Sequence, residues 1–298
     1  MNPTMLGDIA LARVLESEGP EFEPAYLLPE ATPEALARHM HWLSPRVIDP
    51  ASGKLVLAIQ SYLVRTRHHT ILIDTCVGEN KERTFDPGWN MRTGTRYLAD
   101  LAALGVAPKD VDIVMCTHLH PDHVGWNTKL LDGRWVPTFP NARYVFSRIE
   151  WEFWELKARR DNRKFGDGAI GDSVLPIVEA GRAEIVDTDY ALDDQVWLEP
   201  SPGHTPGHVS VRLASAGQQA VMSGDLIHSP IQCAEPDWCS RACFDKEQSR
   251  RTRRNFLEEC ADSRRLVLTA HFPSPSVGRV VRRGRTYRFH YEGEEPPT

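Results

Sequence analysis

Three imidazoles and a carboxylate stand within six positions in the run Thr117-His118-Leu119-His120-Pro121-Asp122-His123, directly after the strand-like stretch VDIVMC. Few structural needs concentrate such costly groups in one place. In a loop leaving a strand end, the alternate residues His118 and His120 can face one metal ion. The turn made by Pro121 then presents Asp122 and His123 toward a second. The scattered histidines His39, His41, His68, His69 and His290 have no such company and read as ordinary polar residues.

Elements that could position this run are legible on both sides of it. KLVLAIQSYLVRTRHHTILIDTC reads as two β-strands about a polar turn at Arg65 to His69. RTGTRYLADLAALGVAPKDVDIVMCTHLH reads as a helix stopped near Gly105, a short Pro-containing loop and a buried strand running into the histidine cluster. NARYVFSRIEWEFWELKAR supplies a further strand and an aromatic-rich helix, and DNRKFGDGAIGDSVLP is a Gly- and Asp-rich lid or linker. The order then repeats in outline. AEIVDTD, QVWLEPSPGH, HVSVRLASAG and QAVMSGDLIH read as short strands, QSRRTRRNFLEECADS as a helix and RLVLTAHF as a last strand. Two similar blocks suggest two βα halves packed sheet on sheet with helices outside. Residues 1–50, rich in Pro and acidic side chains with one amphipathic helical stretch around TPEALARHMHWL, read as an N-terminal extension packing on a core domain of 51–290. The acidic tail 291–298 reads as disordered.

Composition narrows the class without naming a partner. The 298 residues are 41% hydrophobic and 26% charged, which is ordinary globular content. A net charge of -6 and a pI near 6.1 give no global attraction to nucleic acid or to an anionic membrane. The basic runs Arg250 to Arg254 and Arg282 to Arg285 raise the question of a nuclease, but the first falls within one predicted helix and reads as a solvated face. Without a signal-like start or a long apolar run, the expectation is a soluble cytoplasmic protein. Six scattered cysteines fit a reducing compartment, and the cluster of Cys233, Cys239 and Cys243 reads as three reduced thiols, since no paired spacing marks it as a soft metal site.

HLHPDH matches the HxHxDH motif of the metallo-β-lactamase superfamily, and on that resemblance further ligands can be sought downstream. SPGHTPGH supplies His204, SGDLIH supplies Asp225 and LTAHF supplies His271. The resemblance implies an α+β, four-layer αβ/βα sandwich of two βα halves with the metal site at the sheet edge. It implies that His118, His120 and His204 bind a first ion, that Asp122, His123 and His271 bind a second, and that Asp225 bridges both. Imidazole with carboxylate suits zinc, and also manganese, iron or cobalt. Two such ions about 3.5 to 4 Å apart hold a bridging hydroxide and polarise an electrophile, so hydrolysis is the expected reaction, with Asp122 and Asp225 shuttling a proton. Asp74 in ILIDTC matches a position that supports the site from behind, although a strand-end turn cap is an equal reading, and His208 is read as support rather than ligand.

HPDHVGWN, GDLIH and AHFPSPSVGRV look more like the branch of N-acyl homoserine lactone lactonases and methyl parathion hydrolase, over roughly residues 55–290. True β-lactamases of the superfamily lack an aspartate matching Asp225. Lactonases of this branch often carry tyrosine three residues after that aspartate, where this chain has His228. An imidazole there can hydrogen-bond the substrate carbonyl or protonate the leaving alkoxide. Trp126 and Phe272, beside the metal motifs, are expected to line an apolar pocket, and Trp151 and Trp154 to lie in the core with Phe153 near them. The reading is therefore a lactonase acting on a small ester or lactone. Organophosphate or aryl-ester hydrolysis, a thioesterase resembling hydroxyacylglutathione hydrolase, and a diiron oxidoreductase resembling the flavodiiron proteins stand as alternatives. The flavodiiron group tends to carry a glutamate where His120 stands and an attached flavin domain, and neither is present. No nucleic acid or membrane is expected, and a homodimer through the N-terminal extension is one option.

Overall fold

The computed structural model describes residues 4–160 and 168–294. Its strands are β1 (Thr4–Leu6), β2 (Ile9–Phe22), β3 (Leu55–Arg65), β4 (Thr70–Ile73), β5 (Ile113–Met115), β6 (Thr128–Leu131), β7 (Arg134–Pro137), β8 (Arg143–Ser147), β9 (Ala183–Val186), β10 (Val196–Pro200), β11 (Val209–Ser215), β12 (Gln218–Met222), β13 (Leu266–Leu268), β14 (Val277–Arg283) and β15 (Thr286–Tyr291). They form a seven-stranded sheet in the order β1-β2-β3-β4-β5-β8-β9, a six-stranded sheet in the order β10 to β15, and a β6-β7 ribbon. With the helices between them, this is the α+β class expected from the sequence. Contacts divide the chain into two units, one of Met1–Glu16 with Ile59–Tyr190 and one of Ser17–Ala58 with Ala191–Thr298. No helix among the described residues is long and apolar enough to cross a membrane.

In the first unit, β5 runs parallel to both β4 and β8, pairing Val114 with Leu72 and Tyr144. A strand covered on both faces needs apolar residues at every position, and Ile113, Val114 and Met115 are all buried. The chain leaves the carboxyl end of this strand straight into the histidine run, the end at which open parallel sheets present their ligand sites. Pro121 opens a short helix, Pro121–Val124, in place of a simple turn. Behind it, a Cβ on Gly125 would sit 1.8 Å from the Val77 carbonyl oxygen, so two backbones cross there that only glycine permits.

Residues 4–22 carry the hairpin β1-β2, which the sequence reading passed over. The alternation in β2 slips by one residue at Ala12–Arg13, and the inward position after Val14 is Glu16, a buried carboxylate. It accepts hydrogen bonds from the Val77 and Gly78 amides and from Trp126 Nε1, and pairs with Arg92 at 3.3 Å. Burial raises its pKa, with Arg92 opposing. The segment expected as a lid or linker lies partly outside the described residues, at 161–167. Its remainder folds into a wide helical turn, Ile170–Val174, and a helix, Leu175–Glu179.

In the second unit, the stretch TPEALARHMHWL forms two short helices, Pro33–Ala37 capped by Thr32 and Met40–Leu43. They pack with Leu27, Leu28, Leu55 and Trp238. The expected helix near the C-terminus spans Lys246–Cys260, but its arginine run is not wholly a solvated face. Arg253 is fully buried and donates to the carbonyls of Leu226, Pro236 and Trp238. RLVLTAHF is not the last strand, since the hairpin β14-β15 follows it. Tyr291, assigned to the tail, closes β15, and residues 295–298 lie outside the described residues.

Lys81 is a second buried charge of the first unit. Its ammonium lies 2.6 Å from Thr128 Oγ1 and 3.6 Å from the Trp135 ring centroid, beside an Arg83–Asp172 pair closed at 2.8 and 2.9 Å. Burial brings its pKa down to about 7, with Asp172 opposing and Arg83 adding to the fall. The unfolded chain, whose lysine titrates near ~10.4, then binds one more proton than the folded one between about pH 7 and pH 10, so this site makes stability rise with pH across that window. Urea titrations at several pH values are expected to show a shallower rise in Lys81→Met than in the wild type. Parallel profiles would contradict this account.

Candidate metal centre

An imidazole can offer a lone pair to a cation only from the nitrogen that carries no proton, so the partners of the other nitrogen decide what each histidine can do. Asp74 ends β4 with a positive φ of 56° and sets this for the first unit. Its carboxylate accepts from the Thr117 amide at 2.8 Å, from the Thr117 hydroxyl at 2.9 Å and from His123 Nδ1 at 2.9 Å. The Thr117 hydroxyl, its proton on Asp74, accepts from His118 Nδ1 at 3.1 Å. Both rings are thereby held with Nε2 as the lone-pair nitrogen. His118 Nε2 and His120 Nδ1 face each other at 3.0 Å, and Asp122 Oδ2 lies 3.6 Å from His123 Nε2. Asp74 is thus an orienting partner as well as the end of a strand.

In the second unit Asp225 follows β12 and is 3% exposed. Its carboxylate oxygens lie 3.2 Å from His204 Nε2, 3.2 Å from His228 Nε2 and 2.9 Å from His271 Nε2. His271 Nδ1 donates to the Ala58 carbonyl at 3.0 Å, which leaves a lone pair on Nε2 pointing at a carboxylate oxygen. A lone pair and an anionic oxygen at that distance repel unless a cation lies between them, so the donor set fits a bound metal ion. His204 Nδ1 lies 3.6 Å from the Cys243 sulfur. Gly203 before it has a φ of 131°, and a Cβ there would meet the Ser249 amide at 2.3 Å.

His208 is excluded as a ligand by the same reasoning. Its Nε2 accepts from the Asp225 amide at 3.0 Å, so Nδ1 carries the proton and donates to Ser201 Oγ at 2.8 Å. Both nitrogens are engaged, Nε2 by the Asp225 amide and Nδ1 by Ser201, so the ring acts as a brace behind Asp225. His228 differs. Its amide donates to Gln232 Oε1 at 2.7 Å, and its Nδ1 is buried with no hydrogen-bond partner among the described residues.

The aromatic residues depart from expectation. Trp126 stacks on Tyr97 with centroids 5.4 Å apart, and Phe272 is fully buried against Phe289, so both side chains lie in hydrophobic cores. Trp154 is in the core as expected, with Trp151 and Phe153 packed beside it. The sequence reading missed Thr117, Glu150 and Arg253. Thr117 and Arg253 stand in runs read for other reasons and Glu150 in no motif, and only their hydrogen-bond partners reveal the use of each. All six cysteines are free and buried. A hydrogen bond from the Cys243 thiol and the nearby Arg253 hold the pKa of Cys239 below its ordinary value, while that bond and burial push that of Cys243 up.

The profile of the metallo-beta-lactamase superfamily matches residues 55–280. The chain belongs to the metallo-beta-lactamase superfamily. Among its curated relatives in the superfamily, an N-acyl homoserine lactonase of Bacillus cereus is 28% identical over 169 residues, 53% of this chain and 59% of that protein. The N-acyl homoserine lactonase AttM of Azorhizobium caulinodans is 31% identical over 135 residues, 43% of this chain and 46% of that one. The chain thus spans less than two thirds of the length of the curated relatives it matches. Among solved structures, the dizinc quorum-quenching lactonase AidC, in complex with a product N-hexanoyl-L-homoserine, superposes with a TM-score of 0.79 at 25% identity over 99% of this chain and 98% of that one. AbOPH, a hydrolase of the β-lactamase superfamily, superposes with a TM-score of 0.80 at 23% identity over the same shares.

Asp74→Ala strands the buried Thr117 amide and His123 Nδ1, at a cost of about 1–3 kcal/mol for each orphaned donor. Urea unfolding of the metal-free protein is expected to lose about 3 kcal/mol, and Asp74→Asn, which keeps an acceptor oxygen, about half of that. A loss within error of zero would rule out Asp74 as the anchor of this half.

Proposed function

We propose that this chain is a dinuclear metal-dependent hydrolase that opens a lactone ring, with N-acyl homoserine lactones as the substrate class. The observation that carries the reading is the Asp225 carboxylate, faced by the Nε2 atoms of His204, His228 and His271 within 3.2 Å. Membership of the superfamily and the names of the relatives and of the 25% identical neighbour support the substrate class.

His118, His120 and His204 would hold the first ion, Asp122, His123 and His271 the second, and Asp225 would bridge them. Zinc fits this donor set best, in keeping with a neighbour named as a dizinc enzyme. Bound there, two such ions would supply an activated water and polarise the lactone carbonyl.

The chain's own groups handle the proton and the substrate. Asp122 and Asp225 would take a proton from water and pass it to the leaving alkoxide. His208 keeps Asp225 in register by holding its amide. His228 stands three residues after Asp225, and a substrate oxygen is a natural partner for its unmatched Nδ1, because a buried polar atom without a partner is costly. It would donate to the substrate carbonyl or to the departing oxygen. No serine or cysteine nucleophile is needed, so no covalent acyl-enzyme is expected.

The test is turnover of N-acyl homoserine lactones, simple γ- and δ-lactones, a phosphotriester and a glutathione thioester by wild type and Asp225→Ala at matched metal content. Preferred lactone opening, reduced about 10²-fold or more in the variant, is the expected result. Phosphotriester or thioester hydrolysis without lactone turnover would overturn the substrate class. An iron-dependent visible absorption with no hydrolysis would overturn the reaction.

A further inference from the structure

The proposed first ion depends on two alternate residues of one short segment, His118 and His120, being held in register, and of these two it is His118 toward which the hydrogen bonds of Asp74 run. Thr117, bonded to Asp74, fixes His118, whereas His120 turns its Nδ1 toward His118 Nε2 and is the least buried imidazole of the group. What steadies the second ligand comes from the helix Arg148–Arg160.

Leu119, between the two histidines, sends its side chain into the core and its amide away from any strand ladder. An amide buried in that position needs an acceptor from elsewhere. Glu150, in the first turn of the helix and 1% exposed, supplies it: Oε1 accepts from the Leu119 amide at 3.1 Å. The same oxygen accepts from Trp154 Nε1, one helical turn on. That bond fixes the indole so that it meets the His120 ring edge to face, with centroids 5.3 Å apart at an interplanar angle of 67°. One carboxylate oxygen therefore sets both the backbone between the two ligands and the ring that packs on the second.

We infer that Glu150 and Trp154 are positioning residues that hold the His118-Leu119-His120 segment in metal-binding geometry and so set the retention of one ion of the proposed pair. The inference rests on the two-metal reading above. Orienting partners of ligating side chains are commonly worth about 10- to 100-fold in metal affinity. The effect should fall on the ion that His118 and His120 share and leave the other nearly untouched, because Asp74 and Ala58 anchor His123 and His271 independently.

The measurement uses the full chain loaded with zinc or cobalt. Release of zinc to a chromogenic chelator is timed by stopped flow, and the visible bands of the cobalt form are recorded, for wild type, Glu150→Ala, Glu150→Gln, Trp154→Leu and Trp154→Phe. The expected result is biphasic release from wild type. In Glu150→Ala and Trp154→Leu one phase is faster by about 10- to 100-fold, the other is unchanged, and the cobalt bands shift. Glu150→Gln, which retains an acceptor oxygen, and Trp154→Phe, which retains a ring against His120, recover most of the wild-type behaviour. If the two larger changes prevent folding, the conservative pair decides the matter through a smaller acceleration confined to the same phase. Wild-type release rates and cobalt bands in all four variants would overturn the inference. So would equal acceleration of both phases in step with a lower melting temperature, which marks a merely structural role. A wild-type protein that loads no metal would sink the two-metal reading itself, and it is recognised before any variant is compared.

Discussion

A buried imidazole has one N–H to spend, and where it spends it fixes which nitrogen remains to bind anything else. The candidate centre is organised around that constraint. In the first unit the Asp74 carboxylate takes the His123 proton directly and directs the His118 proton to the Thr117 hydroxyl. In the second, the Ala58 carbonyl accepts the hydrogen bond of the His271 N–H. His208 is the informative exception, because both of its nitrogens are engaged and it serves the backbone of Asp225 instead. The same residue type thus acts as ligand candidate or as brace according to its neighbours.

Each unit also buries charged groups that an apolar core would exclude. Glu16 supports the Val77–Gly78 turn and Trp126 behind the histidine run, and Arg253 gathers the carbonyls of Leu226, just before His228, and of Pro236 and Trp238 beyond the next helix. Each is a charge kept from water and compensated by several directional bonds, the arrangement under which a buried charge is tolerated. Removing a partner from either would leave the charge uncompensated, so these positions restrict the loops more tightly than apolar packing alone would.

The sequence was legible where one residue type has one use. HxHxDH after an unbroken apolar strand announced itself, and the helix and strand leading to it are where periodicity put them, as is the helix Lys246–Cys260. It was illegible where a residue contradicts its own pattern. In β2 the inward phase slips at Ala12–Arg13 and a carboxylate, Glu16, takes an inward position, and the first hairpin went unseen. Arg253 sits in a run of arginines that looks solvated and is buried. Gly168 to Val174, with two glycines and an aspartate, reads as loop yet folds as a helical turn in which Asp172 finds the Arg83 guanidinium. Adjacency also misled: Trp126 and Phe272 neighbour the motifs in sequence, but their side chains point into hydrophobic cores. Partners distant in the chain decide all of these cases, and no local window contains them.

The two units are interleaved along the chain, with residues 17–58 belonging to the unit completed by 191–298. On a ribosome, the other unit has all of its residues once Tyr190 is made. Leu27, Leu28, Leu43 and Leu55 must then wait for Ile231, Ala234 and Trp238 before their shared cluster can close. At about 5 to 20 residues per second, synthesis of 191–298 takes on the order of 5 to 20 seconds, during which that greasy segment is displayed with nothing to cover it. Neither unit can be excised as one continuous fragment, and a nascent chain halted after residue 190 would be an obvious client for a chaperone.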